Sequence, residues 1–287
     1  MNLPMYERCR ALLAMGRGHV DETRHWAAQA ITRADAYGDG WDRLEALRAR
    51  GTAALLAREP SAAGVDLGAV HEHTEREGVA DPGVFPVVPE LVEALAELGD
   101  LDRARSVTET LARQAQDQAH PWGLVSARRC QALVRLAAGR YDHAAGAALA
   151  DAATELAGLG LGFDSARCHL SLGRAQRRLK QWGSARESLE RAAAAFVQAG
   201  SAGWAQRAQE ELGRVGGRIP GTPGALTPTE HDVVQLAAHG LTNKEIARRS
   251  SRPAAFGRGC VSSTSRPVPA TPHSPRRMPA PMSSRAT

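Results

Sequence analysis

Four consecutive residues near the C-terminus, Thr242-Asn243-Lys244-Glu245, have the types and spacing of a helix start. Thr242 suits the N-cap, and Glu245, three residues later, completes a capping box. The unpaired N–H groups at a helix N-terminus attract anions, and Lys244 adds a positive charge. The stretch therefore predicts a place where a phosphate group can bind, although Thr242 would cap the helix whether or not an anion is present.

A second group of polar residues, HEHTERE at 71–77, contains His71, His73 and Glu75. His71 and Glu75 are four residues apart and can share a helix face, but two ligands do not make a zinc site. A solvent-exposed polar face is the favoured interpretation. The chain contains neither a G-x-S-x-G motif nor a Cys/His nucleophile arrangement. We therefore predict no enzyme activity, no cofactor and no metal site.

Two short capped helices are predicted around the turn at 239–241. The first begins with Thr227 as N-cap, Pro228 at the first helical position and Glu230 as the capping-box partner. It ends at Gly240, and the second helix begins at once. The apolar faces of the two helices are predicted to form a small shared core, made of Val233, Leu236, Ile246 and Ala247.

Residues 226–247 resemble the start of the LuxR-type helix-turn-helix family, in which L-T-x-x-E is followed, after a short turn, by [ST]-N-[KR]-E-I-A. The matching residues are Leu226, Thr227, Glu230, Val233, Leu236, Ala238, Gly240, Leu241, Thr242, Asn243, Lys244, Glu245, Ile246 and Ala247. The resemblance implies that DNA is a partner and that Thr242, Asn243 and Lys244 contact its backbone. It also implies a third helix that reads bases in the major groove.

The match stops at Ser250. Residues 251–287 contain seven prolines and six arginines but no acidic residue. Proline costs about 3 kcal/mol inside a helix, so this Pro/Ser/Arg-rich segment predicts a disordered tail where the recognition helix belongs. We hypothesise that a frameshift near codon 250 replaced the recognition and dimerisation helices; the alternative is a basic tail that grips phosphate non-specifically. Loss of the third helix would impair DNA reading and expose Val234 and Ile246.

Upstream of this module, a pattern recurs about every forty residues. The segments GDLDRA (99–104), GRYDHA (139–144) and KQWGSA (180–185) each have a bulky third residue and a small sixth residue. Two weaker copies of the segment lie upstream. Across all five copies the third positions are 40 or 41 residues apart: Val20, Pro60, Leu101, Tyr141 and Trp182. Apolar stripes flank each marker, so one unit is a helix, a turn and a second helix. Small residues are expected at the crossing, and the marker is expected to fill the gap between the two helices.

About five such hairpins are predicted across residues 3–200, with a last helix near 202–214 covering the open end. Because one hairpin cannot bury its apolar stripe alone, stacking into a right-handed solenoid is favoured over an irregular helical domain. The array resembles tetratricopeptide-like repeats. The predicted fold class is all-α, and the predicted domains are a helical-repeat array (1–214), a linker (215–225), a partial helix-turn-helix (226–250) and a disordered tail (251–287).

Charge is unevenly distributed along the chain. The whole sequence has 36 basic and 31 acidic residues. Six of the arginines lie in the tail, so the first 250 residues contain 30 basic and 31 acidic residues. The near-neutral body argues against nucleic-acid binding across the whole surface. Four scattered cysteines without C-x-x-C spacing favour a reducing, cytoplasmic location. No run approaches about 18 apolar residues, so no membrane association is predicted.

A helical array followed by this module resembles the C-terminal part of large ATP-binding LuxR-type regulators. Their nucleotide-binding motif, G-x-x-x-x-G-K-[ST], does not occur in this chain, and whether Met1 lies inside a longer regulator stays open. The resemblance implies a transcriptional regulator whose array senses a protein partner or small effector. The alternative is a helical-repeat interaction scaffold with no specific DNA binding.

Overall fold

A computed structural model describes residues 3–139 and 143–215 and six positions further on, namely 234, 236–238, 242 and 245. Within these residues the chain is helical and contains no strand, which confirms the all-α prediction. The chain divides into two compact units, Met1–Arg218 and Ile219–Thr287. The first unit holds the predicted helical array and the second the predicted DNA-binding module.

Eleven helices make up the described part of the first unit, and successive helices pack against one another. This arrangement confirms a helical-repeat array. The helices are α1 (Leu3–Arg17), α2 (Val20–Tyr37), α3 (Gly40–Leu56), α4 (Pro60–Arg76), α5 (Val88–Leu98), α6 (Leu101–Asp117), α7 (Pro121–Ala137), α8 (His143–Gly158), α9 (Gly162–Arg178), α10 (Trp182–Gln198) and α11 (Ala202–Gly213).

Local chemistry determines where these helices begin and end. At the start of α3 the Asp39 carboxylate accepts a hydrogen bond from the backbone N–H of Asp42. Pro60 occupies the first position of α4, where its missing N–H has no intrahelical partner to lose. Helix α5 ends at Gly99, whose φ of +79° lies in the left-handed region that favours glycine. Each of these three features depends only on residues that are close together in the sequence.

The forty-residue pattern corresponds to the second helix of each hairpin. Four of the markers are the first residues of their helices: Val20 in α2, Pro60 in α4, Leu101 in α6 and Trp182 in α10. One turn later each of these helices buries a small residue completely: Thr23, Ala63, Ala104 and Ala185. Tyr141, the remaining marker, lies outside the described residues.

At Trp182 the role predicted for the marker residue is wrong, whereas Val20, Pro60 and Leu101 are half-buried. Trp182 is 43% exposed and does not fill the gap between its helix and the preceding one. Side chains on a helix tilt toward its N-terminus, so the side chain of the first residue points past the end of the hairpin. The residue one turn later, Ala185, makes the buried contact instead.

Glycines at two helix crossings confirm that small residues let the backbones approach closely. A Cβ atom added to Gly51 of α3 would lie 2.7 Å from Cγ of Leu67 in α4. One added to Gly173 of α9 would lie 2.6 Å from Cγ of Leu189 in α10. Both distances are far shorter than a van der Waals contact between carbon atoms. The same close packing therefore recurs in two hairpins, as expected of a repeat.

The last helix joins the two ends of the array. Helix α11 confirms the helix predicted near 202–214, and the Ser201 hydroxyl just before it donates a 2.6 Å hydrogen bond to the carbonyl of Gly16 in α1. Gly203 of α11 lies directly against the backbone of Gly18. The core also includes Val215, the first residue of the predicted linker, which is 2% exposed. Helix α11 also contacts α3, so the last helix lies against two of the first three helices.

In the second unit, Thr242 and Glu245 make contacts that are typical of a helix N-cap. The backbone N–H of Thr242 donates a 2.8 Å hydrogen bond to Oε2 of Glu245, and its hydroxyl donates another of 2.6 Å to the same oxygen. The first of these bonds is one half of a capping box. Val234 is 49% exposed, in agreement with the expectation, and Leu236 is half-buried. Outside the described residues lie Val233, Asn243, Lys244, Ile246, Ala247 and the tail 251–287.

Candidate functional site

The central cavity of the array, bordered by α5, α7, α9 and α11, has a volume of about 540 Å³. This volume suits a metabolite-sized ligand. Part of the wall is apolar and comes from Leu133 and Leu136 of α7 and Ala175 of α9. The charged part, among the described residues, consists of the arginines Arg58, Arg174, Arg177, Arg178, Arg207 and Arg214 and the glutamates Glu93, Glu97 and Glu211.

Helical spacing brings most of these charges to one place. Arg174, Arg177 and Arg178 share a face of α9 because they are three and four residues apart. Arg207 and Glu211 are four residues apart on α11, and Arg214 follows three residues later. Such a charged stripe looks in the sequence like an ordinary solvent-exposed face. The sequence alone therefore does not predict the cavity.

Below the cavity wall, a buried ion cluster joins α5, α7 and α9. Oε2 of Glu93 accepts a 2.5 Å hydrogen bond from Nη2 of Arg167 and a longer one, 3.4 Å, from Nη2 of Arg129. Both arginines are only 1% exposed. Burial alone would raise the pKa of Glu93, but the guanidinium groups around it, Arg167 first, lower that pKa to about 2. Burial outweighs the same charges at Glu90, whose pKa is raised.

An aromatic cluster holds α9 against α11. Cζ of Arg167 lies 3.9 Å from the ring centre of Trp204, a cation–π contact. Trp204 is 1% exposed and stacks on Phe196, with ring centroids 5.9 Å apart. Phe163 meets the edge of the same indole at 6.0 Å. Because Arg167 contacts both Glu93 and Trp204, the cluster positions the two helices that carry most of the cavity arginines.

Arg207 is the least compensated charge of the cavity wall. It is 5% exposed, and its Nη1 donates a 3.0 Å hydrogen bond to the backbone carbonyl of Leu56. Its Nε is buried without a hydrogen-bond partner, and no carboxylate of the described residues forms an ion pair with it. Burial lowers the pKa of Arg207, and the positive charges of Arg174 and Arg58 lower it further. Such an environment is favourable for an incoming anion.

Glu211 partly offsets the other arginines at this end of the cavity. Its Oε2 lies 3.2 Å from Nη2 of Arg177, and its Oε1 lies 3.0 Å from Nη1 of Arg214. Nε of Arg174 is a more distant neighbour at 3.8 Å. One buried carboxylate thus lies near three guanidinium groups, of which Arg177 and Arg214 are the closer two.

The described residues offer little for covalent or metal chemistry. No three His, Cys, Asp or Glu side chains among them are grouped as a metal site requires. Cys130 and Cys168 are buried, and burial raises the pKa of their thiols to about 12 and about 11, respectively. Both thiols are therefore protonated and poor nucleophiles at neutral pH.

Of the residues predicted to contact DNA, Thr242 is described, and it is exposed. Its N–H and hydroxyl are both occupied by Glu245, so the observed contacts are those of a helix cap. None of the helices in the described part of the chain is long and apolar enough to cross a lipid bilayer.

Comparison with known proteins finds neither a protein-family model nor a curated protein that matches this chain. The fold and the cavity together define the class: an all-α helical-repeat protein with a cation-rich central cavity.

The Glu93 cluster predicts a specific pH dependence of stability. Because the folded-state pKa of Glu93, about 2, is below its ordinary value of 4.5, its stabilising contribution is complete above that ordinary value. The contribution is lost progressively as the pH falls from about 4.5 toward 2. We expect the difference in unfolding free energy between the wild type and Glu93→Gln to shrink over this range. Urea denaturation at several pH values measures it, and a difference that does not change with pH would contradict the prediction.

Proposed function

We propose that this chain is a transcriptional regulator of LuxR type, with a helical array that binds a protein partner or small effector. Its C-terminal module binds DNA, with base reading impaired by loss of the recognition helix. The observation that carries the proposal is the dense pattern match at 226–247. The hydrogen bond from Thr242 to Glu245 supports it, since a capped helix starts where the pattern requires one. A cytoplasmic location is part of the same proposal.

The DNA contacts are assigned to Thr242, Asn243 and Lys244. In this assignment phosphate replaces Glu245 as the acceptor for Thr242 and also binds the ammonium group of Lys244, which positions the module without reading sequence. The six arginines of the tail, 251–287, add further non-specific attraction. Both contributions are non-specific, and the salt dependence of binding distinguishes them from sequence-specific recognition of bases.

Selection of bound duplexes from a random-sequence pool by the full-length chain, followed by gel-shift titration in increasing salt, tests the proposal. We expect an enriched sequence, bound more tightly than random DNA at near-physiological salt. Lys244→Gln should weaken binding equally on all sequences and lower the salt slope by about one. Arg276→Gln/Arg277→Gln is the matched control for tail charge. If no sequence is enriched and binding disappears with salt in proportion to the tail arginines, the regulator proposal fails.

A second candidate function is a helical-repeat binding scaffold without specific DNA binding. The observation that favours it is the central cavity, because its described lining residues all belong to the helical array and none to the C-terminal module. If the selection enriches no DNA sequence and a ligand nevertheless binds to the array, this candidate is supported.

A further inference from the structure

We propose that the central cavity binds a small organic anion, bearing a carboxylate or phosphate group, with Arg207 as its anchor. The inference names the ligand class of the effector site and so rests on the part of the proposed function that assigns effector binding to the array. It is independent of whether the C-terminal module reads DNA.

The charges of the cavity wall are the first support. Among the described lining residues six arginines face three glutamates. Each glutamate is already paired: Glu93 with the buried arginines below the wall, Glu97 with Arg174 at 2.9 Å, and Glu211 with Arg177 at 3.2 Å. Arg58 pairs with Glu210 at 2.8 Å, and Arg214 shares Glu211 at 3.0 Å, so the uncompensated charge of the wall is centred on Arg207. An anionic group would neutralise it.

The burial of Arg207 is the second, independent support. Arg207 is 5% exposed, and its guanidinium donates to one backbone carbonyl and has a buried Nε without a partner. A buried charge is costly unless it is paired and hydrogen-bonded. A carboxylate or phosphate group in the cavity supplies the missing counter-charge, because its oxygens accept charge-assisted hydrogen bonds from a guanidinium.

The shape and lining of the cavity limit the size of the ligand. A volume of about 540 Å³ accommodates a metabolite-sized ligand. Leu133, Leu136 and Ala175 provide an apolar wall beside the charged one. The ligand is therefore expected to combine an anionic group with a compact apolar body. The chain's own tail does not fit this chemistry, because 251–287 carries six arginines and no acidic residue.

Isothermal titration of the full-length chain with citrate and, separately, with pyrophosphate at constant ionic strength tests the inference. We expect saturable binding of at least one probe at one site per chain, and the probe that binds distinguishes carboxylate from phosphate. Arg207→Gln should weaken it about tenfold or more, since a charge-assisted hydrogen bond is lost. The tail variant Arg276→Gln/Arg277→Gln removes two cations elsewhere and should leave the affinity within about twofold.

Arg58→Gln keeps the test valid if Arg207→Gln does not fold. Arg58 lines the cavity but its side chain is 39% exposed, so its replacement spares the core while lowering the affinity for the same probe. Three outcomes would overturn the inference: no saturable binding of either probe, binding of an acidic peptide but of neither probe, or binding lost in the tail variant and retained in both cavity variants. None of these outcomes depends on DNA selection, so failure here is separable from failure of the regulator proposal.

Discussion

Replacement of Glu93 by glutamine is expected to lower the free energy of unfolding by about 3–5 kcal/mol. Glu93 is the hydrogen-bonded carboxylate that neutralises Arg129 and Arg167, which are each 1% exposed. Glutamine has nearly the same shape but no charge, so both guanidinium groups would stay buried without a hydrogen-bonded counter-ion. Glu90 does not replace it, because its nearest oxygen lies 3.8 Å from Arg167 and 3.9 Å from Arg129.

Chemical denaturation followed by far-UV circular dichroism measures this loss. The matched control is Glu187→Gln, which removes a carboxylate that pairs with Arg191 on the surface of α10 and is 64% exposed. Because exposed pairs of this kind contribute little, the control should change stability by less than about 0.5 kcal/mol. Equal effects of the two substitutions would show that burial of the ion cluster does not stabilise the array.

Gly203→Ala is expected to destabilise the array by about 2–3 kcal/mol, near the upper end of the usual cost of overpacking. A Cβ atom at Gly203 would lie 2.1 Å from the carbonyl oxygen of Gly18. The obstacle is backbone rather than a flexible side chain, so α11 would have to move away from the end of α1. That movement would also stretch the 2.6 Å hydrogen bond from Ser201 to Gly16.

Gly213→Ala in the same helix is the matched control. No atom lies within 4 Å of a Cβ added at Gly213, so alanine there should be neutral or stabilising by up to about 1 kcal/mol. Thermal unfolding compares the two variants, and hydrogen exchange of α1 and α11 shows whether the ends of the array separate. If Gly203→Ala is as stable as the control, then the contact between first and last helices does not close the array.

Much of the fold is predictable because helix formation depends on neighbouring residues. Capping by Asp39 and termination at Gly99 need only a few adjacent positions. The buried small residue one turn into each second helix, such as Ala104, repeats at the forty-residue spacing and identifies the hairpin. Trp182 shows where this reasoning fails, because the pattern located the residue correctly but not the direction of its side chain.

The candidate site was much less predictable than the fold. Arg174 and Arg207 are 33 residues apart in the chain and belong to different helices. Whether each faces solvent, a carboxylate or another arginine depends on the packing of α9 against α11, which a local pattern does not encode. By contrast, the DNA contacts proposed for Thr242, Asn243 and Lys244 are inferred from a motif of adjacent residues.

By itself, the sequence determined the helices, their hairpin repeat and the capped start at Thr242, because each depends on contacts within a few residues. Only the tertiary structure decided that α11 returns to α1, that Glu93 neutralises two buried arginines and that Arg207 faces a cavity with no carboxylate partner. The physical reason is that electrostatic energies in a protein depend on distance and burial, and these are set by helices far apart in the chain.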